Sequence, residues 1–154
     1  MDASAYPALT SPFSLAGHTL RNRVVHASIS THFAEGARVT DRLVNYYASR
    51  ASGGAAMIVT EPLGMWQGFD VPGRVRAWND VNVDGLSRWA DTVEAHDCRL
   101  LGQIVDRGRG RNTPGRAIDA TSASVQPDDL SWSVPRALRI AEIRQLIEEM
   151  GRHR

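Results

Sequence analysis

The chain has 154 residues, 42% of them apolar, which is the size and composition of one ordinary globular domain and excludes a disordered chain. Its formal net charge is +1 and all 18 basic residues are arginine, so no strong field selects nucleic acid or an acidic membrane surface as a partner. The single cysteine excludes an intramolecular disulfide, and no stretch approaches the ~20 apolar residues that cross a bilayer. The opening MDASAYPALTSPF also lacks the basic-then-apolar order of a signal peptide, so a cytoplasmic protein is expected.

In chain order, FSLAGHTL (13–20) reads as a small hairpin, two short alternating runs around Ala16-Gly17. A first full strand is predicted at about Arg23 to Ile29. It opens polar, turns apolar at Val24 and Val25, and ends in small and polar side chains, which suggests an end that faces a ligand. VTDRLVNYYASRASGG predicts a helix capped by Thr40 or Asp41 and stopped at Gly53-Gly54, with Leu43, Val44, Tyr46 and Tyr47 at helical spacing. AAMIVT (55–60) is a short continuous apolar run, as in a strand of a parallel sheet buried on both faces. A loop rich in Gly and Pro is predicted from Glu61 to about Val81. A second helix spans roughly Val83 to His96, with Leu86, Trp89, Ala90 and Val93 on one face, and LLGQIV (100–105) reads as a third buried strand. About thirty residues without periodicity follow. The last segment, AEIRQLIEEM, is an amphipathic helix with Ile143, Leu146, Ile147 and Met150 on its apolar face.

Strands alternating with helices predict an α/β fold with a parallel sheet. Long loops after the strands favour a (β/α) barrel, and no GxGxxG follows the first strand, so the dinucleotide-fold signature is missing. A complete barrel needs eight strand–helix units and about 250 residues; three units are legible. Either this is a small α/β domain, or it is the first part of something larger.

Five stretches carry a family resemblance: SPFSLAGHTLRNRVVHASIS, EGARVTDRLVNYYASRASGGAAMIVTEP, the Gln of LLGQIVDRGRGR, LSWSVPRAL and EIRQLIEEM. In this order and spacing, over residues 7 to about 149, the chain resembles the N-terminal part of the old yellow enzyme family, FMN-dependent NAD(P)H:flavin oxidoreductases. It is most similar to the branch that includes 2,4-dienoyl-CoA reductase and trimethylamine dehydrogenase. The resemblance implies an N-terminal hairpin plus about the first three strand–helix units of a (β/α)8 TIM barrel, one partial FMN-binding domain over 1–154, with the flavin at the C-terminal mouth of the strands. NAD(P)H is implied as reductant, and a small-molecule electron acceptor as partner.

The resemblance also assigns positions. Ala27, Ser28, Ile29 and Ser30 match the strand end that runs under the flavin ring, where small side chains allow close backbone approach. Ser30 matches the residue near flavin O4 and N5, where a hydroxyl can tune the reduction potential. Pro62 matches the turn residue that packs on the flavin. Gln103 matches a glutamine whose carboxamide, one acceptor and two donors, suits the pyrimidine edge. His32 stands where some relatives place an aromatic on the substrate side. Asp106 replaces a histidine found in many relatives.

No residue is assigned as catalytic or metal-binding. The family's substrate-anchoring pair, proton donor and phosphate site lie in later strands that have no counterpart here. The closing GRHR breaks the helical pattern, as a frameshift or truncated reading frame would. The isolated chain is therefore expected to be inactive. Two alternatives stay open: a half-barrel completed by a partner chain, or a non-functional truncated product. Read without the family, Ser28, Ser30 and Gln103 are ordinary strand-end polars and Cys98 a small hydrophobe, while His26, where relatives carry an apolar residue, is expected to be packed. DRGRGR then reads as a solvated loop.

Overall fold

The computed structural model describes residues 5–65, 73–106, 108–111, 120–129, 132 and 134–151. The chain divides into two compact units, Met1–Ile104 and Val105–Arg154.

The first unit opens with a single helical turn, α1 (Pro7–Thr10), and the expected hairpin, β1 (Phe13–Leu15) and β2 (His18–Leu20), paired antiparallel with Phe13 opposite Leu20. Its turn places Ala16 at φ 48° and Gly17 at φ 82°. Two left-handed residues in a row make a turn whose twist matches the strands, and glycine takes the second position without a Cβ clash.

A three-stranded sheet follows, in the order β3 (Val25–His26), β4 (Met57–Gly64), β5 (Arg99–Val105). β3 and β4 run parallel, with Val25 opposite Met57 and His26 opposite Ile58. Two bounds differ from the sequence reading. The strand predicted over Arg23–Ile29 is two residues long, because from Ala27 onward its polar side chains, rather than a ladder, tie it to its neighbours. β4 in turn runs four residues past Thr60, so Glu61 and Pro62, expected in a loop, lie inside a strand.

Helix α2 (Asp41–Ser52) connects β3 to β4. Thr40 caps it, its hydroxyl accepting from Leu43 N–H at 3.2 Å and donating to the Phe33 carbonyl at 2.6 Å. Its far end is tied by side chains that precede β3. The Arg21 guanidinium donates to the Ala51 and Ala55 carbonyls (2.8 and 3.0 Å), and the Asn22 amide donates to Gly54 O at 2.9 Å. The Ala51 carbonyl lies in the last turn of α2 and the other two just beyond it, and a forked guanidinium reaches two of them at once. A 3-10 turn at Asp80–Asn82 leads into α3 (Val83–Glu94), which precedes β5.

The core lies between the sheet and these two helices. Leu43, Tyr47, Ala51, Ile58, Val75, Trp89 and Val93 are all fully buried in it. Tyr47 meets Trp89 edge-on at a centroid distance of 4.7 Å and Tyr46 at 5.3 Å. Arginines finish the rim: Arg50 stacks 3.4 Å above the Tyr46 ring and Arg42 3.8 Å above Phe33. His26 is half-buried and edge-on to Tyr46 and Tyr47, the packed role expected of it; burial, then the nearby Arg50 charge, lower its pKa. Cys98 is buried just before β5, and loss of solvent pushes its thiol up to about 11, which suits a small hydrophobe rather than a nucleophile.

The outer strands are less covered than their apolar sequences predict. Val25 is 45% exposed, Leu101 53% and Ile104 51%.

In the second unit, a 3-10 segment at Gly108–Arg111 follows Asp106, whose carboxylate accepts from Gly108 N–H at 2.8 Å. Two short strands missed in the sequence, β6 (Thr121–Ser122) and β7 (Arg136–Ala137), pair in parallel. Helix α4 (Ile140–Gly151) matches the predicted amphipathic helix. Glu142 binds Arg136 through two hydrogen bonds, each 2.8 Å, and accepts from Arg139 N–H at 2.7 Å. No helix among the described residues is long and apolar enough to cross a membrane.

Candidate functional site

Two of the residues singled out in the sequence, Ser28 and Gln103, meet where β3 gives way to irregular backbone and β4 and β5 pass beside it. Ser28 Oγ donates to Gln103 Oε1, joining the two outer strands across the central β4. Gln103 N–H donates to Thr60 Oγ1 at 3.0 Å, and Thr60 Oγ1 donates to the Glu61 carbonyl at 2.8 Å. The Glu61 carboxylate turns to the segment after β3: Oε2 accepts from Thr31 N–H at 2.6 Å and from Thr31 Oγ1 at 2.7 Å. Glu61 N–H donates to the Tyr47 hydroxyl at 2.6 Å, which ties β4 to α2. One continuous set of hydrogen bonds thus fixes the ends of three strands and the helix behind them.

Of the positions expected to meet the ligand, Ala27, Ile29 and Ser30 are exposed, while Ser28, Pro62 and Gln103 are half-buried. The backbone of Ala27–Ser30 makes no hydrogen bonds outside the strand ladder among the described residues. Ile29 leaves 51% of its surface open beside these free polar groups. Ser30 Oγ lies 3.5 Å from an Arg74 guanidinium nitrogen. His32 is exposed and has φ 56°; Gly73 packs against it so closely that a Cβ there would fall 3.1 Å from His32 Cβ. Pro62 offers β4 no amide hydrogen, so the ladder has one donor fewer at that point.

Three participants were missed in the sequence: Thr31, Thr60 and Glu61. The available signal was Glu61, a carboxylate directly after an apolar strand run, since a glutamate is almost never fully buried without partners. Here it is 0% exposed.

The arrangement suits a flat, polar-edged ring. The Ser28 hydroxyl engages Gln103 Oε1, and Gln103 Nε2 has no partner among the described residues, so the carboxamide presents its donor side. Exposed backbone groups flanked by small side chains permit close approach, and Ile29 offers an apolar contact. These residues fit the edge of an isoalloxazine ring.

Fold and site together define an α/β protein of the barrel type, with its open polar groups at the C-terminal ends of the strands. The chain belongs to the NADH:flavin oxidoreductase / NADH oxidase family, whose sequence profile matches residues 8–152. It is 27% identical to a metal reductase of Desulforamulus reducens, covering 94% of this chain and 22% of that protein. It is 30% identical to an NADH oxidase of Thermoanaerobacter brockii, covering 94% and 23%. The solved structure of the old yellow enzyme homologue from Zymomonas mobilis superposes with a TM-score of 0.79 at 23% identity, over 93% of this chain and 43% of that one. The chain therefore spans less than half the length of each. The old yellow enzyme resemblance and the partial barrel both hold, and FMN with NAD(P)H is the cofactor pair of the family.

Proposed function

We propose that this chain supplies the first strand ends of an FMN site in a cytoplasmic NAD(P)H-dependent oxidoreductase of the ene-reductase or dienoyl-CoA reductase type, as one partial barrel domain over 1–154. When bound, FMN supplies the chemistry, transfer of a hydride from NAD(P)H to a small electron-poor acceptor. The residues of this chain bind and orient. Gln103 Nε2 donates to acceptor atoms on the pyrimidine edge; the backbone of Ala27–Ser30 and the side chain of Ile29 line one side; Pro62 packs against the ring. The Ser30 hydroxyl would donate to the ring, and His32 would stand on the substrate side. The observation that carries this reading is the Ser28–Gln103 hydrogen bond, which joins two family-matched positions 75 residues apart in sequence.

The test is the visible spectrum of the purified chain after FMN is added and the excess removed. A retained, shifted flavin band is expected, and Gln103→Leu should weaken binding by about tenfold, the worth of one good hydrogen bond. An unshifted spectrum with no retained flavin refutes the reading. NAD(P)H oxidation by the chain alone is expected at the free-flavin rate.

A second reading, a half-barrel completed by another chain, is favoured by the half-exposed Val25, Leu101 and Ile104 on the two outer strands, since such strands normally have covered faces. A complex with a chain that carries the remaining strands supports it; a lone soluble monomer with a cooperative melt counts against it.

A further inference from the structure

We infer that Glu61 is a positioning residue that holds the segment after β3 in its ligand-facing shape by clamping Thr31; its relevance to FMN rests on the function proposed above.

The clamp is two-pronged and one-sided. Both Thr31 groups converge on one carboxylate oxygen, at 2.6 and 2.7 Å, while Glu61 Oε1 is buried without a partner among the described residues. Leaving a buried carboxylate oxygen without a donor is unfavourable, so a purely structural role would be better served by an apolar residue of similar shape. What the glutamate adds is a hold on Thr31. Thr31 directly follows Ser30, and its hydroxyl also accepts from Phe33 N–H at 3.2 Å. The Phe33 carbonyl in turn accepts from the capping Thr40. Between these fixed points lies His32 at φ 56°, a left-handed backbone state uncommon for a residue other than glycine. Glu61 itself is anchored by its N–H on Tyr47 and by its carbonyl on Thr60, the residue that also receives Gln103 N–H. The carboxylate therefore sets the Thr31 end of the segment relative to Gln103. Without the clamp, Ala27–Ser30 have no ladder partners to keep them in place.

The experiment uses the whole 154-residue chain and two readouts. Thr31 amide exchange is followed by NMR in the flavin-free protein, and FMN affinity is followed by fluorescence quenching. In the wild type, the Thr31 amide should be protected although the residue is only half-buried. Glu61→Gln keeps the volume and one carbonyl but not the charge; it should speed Thr31 exchange and weaken FMN binding, each by about tenfold. Thr31→Val should weaken FMN binding similarly, Thr31→Ser should restore it, and Thr31→Val should add little once Glu61 is Gln. Unchanged Thr31 exchange in Glu61→Gln overturns the clamp. Fast exchange with unaltered FMN affinity overturns its positioning role. Additive effects of the two substitutions, or failure of Ser to rescue, overturn the coupling through the hydroxyl. If the wild type retains no FMN, the proposed function fails, while the clamp is still decided by the Thr31 amide.

Discussion

Tyr47→Phe removes one oxygen and little else. The ring keeps its edge-on contacts with Trp89 and Tyr46, and the position stays fully buried. What disappears is the acceptor for Glu61 N–H, a 2.6 Å hydrogen bond inside the core. Water cannot replace it, because Glu61 is 0% exposed. The cost is that of an unsatisfied buried donor, ~1–3 kcal/mol. With a urea slope of ~1–3 kcal/mol/M for a small protein, the unfolding midpoint should fall by roughly 1 M at unchanged slope. A second signature lies at high pH. Burial, the largest influence, raises the Tyr47 pKa above the ordinary phenol value. The folded protein therefore keeps this proton where the unfolded chain releases it. The associated stability is fully present below the unfolded value of ~10 and is lost as pH rises from there toward the folded value. The Phe variant has no such dependence at this position, so the two stability curves should converge above pH ~10. A midpoint unmoved by Tyr47→Phe at neutral pH would refute the reasoning, since it would mean that Glu61 N–H finds another acceptor at no cost.

Other outcomes follow from single contacts. Thr40→Ala deletes the α2 cap and the tie to Phe33, and should lower stability by ~1–2 kcal/mol in the same urea titration. In Glu142, hydrogen bonds from Arg136, then from Arg139, hold the carboxyl below the usual carboxylate range. That stability is present above the ordinary glutamate value of ~4.3 and is lost as pH falls below it, so Glu142→Gln should flatten the acid side of the melting profile of the second unit. Leu101→Glu, at a half-exposed outer-strand position, should change stability by about 0.5 kcal/mol or less, reduce binding of an apolar dye, and abolish any assembly with a barrel-completing chain.

The periodic parts of the fold were legible. The hairpin turn at Ala16-Gly17, the Thr40 cap and the apolar faces of α2 and α3 declare themselves through local chemistry that tertiary structure does not override. The strand bounds were not. Nothing local in Ala27–Ser30 says that their ties are side chains rather than a ladder, and Glu-Pro after an apolar run reads as a loop until the Tyr47 hydroxyl and the Thr31 groups are seen to satisfy Glu61. β6 and β7 are two residues each, too short for any period to register. At the site, Ser28 and Gln103 were identified through the family resemblance, whereas the residues that hold them in place, Thr31, Thr60 and Glu61, emerge only from three-dimensional proximity.

β3 is two residues long, and the strip that follows it takes its shape from side chains contributed by other elements. A surface specified this way can be rewritten piecemeal. Exchanging Ser28, Thr31 or Gln103 alters the contour offered to a ligand without touching the Val25–Met57 and His26–Ile58 pairs or the Trp89 core. Such a layout separates the freedom to acquire new specificities from the obligation to remain folded.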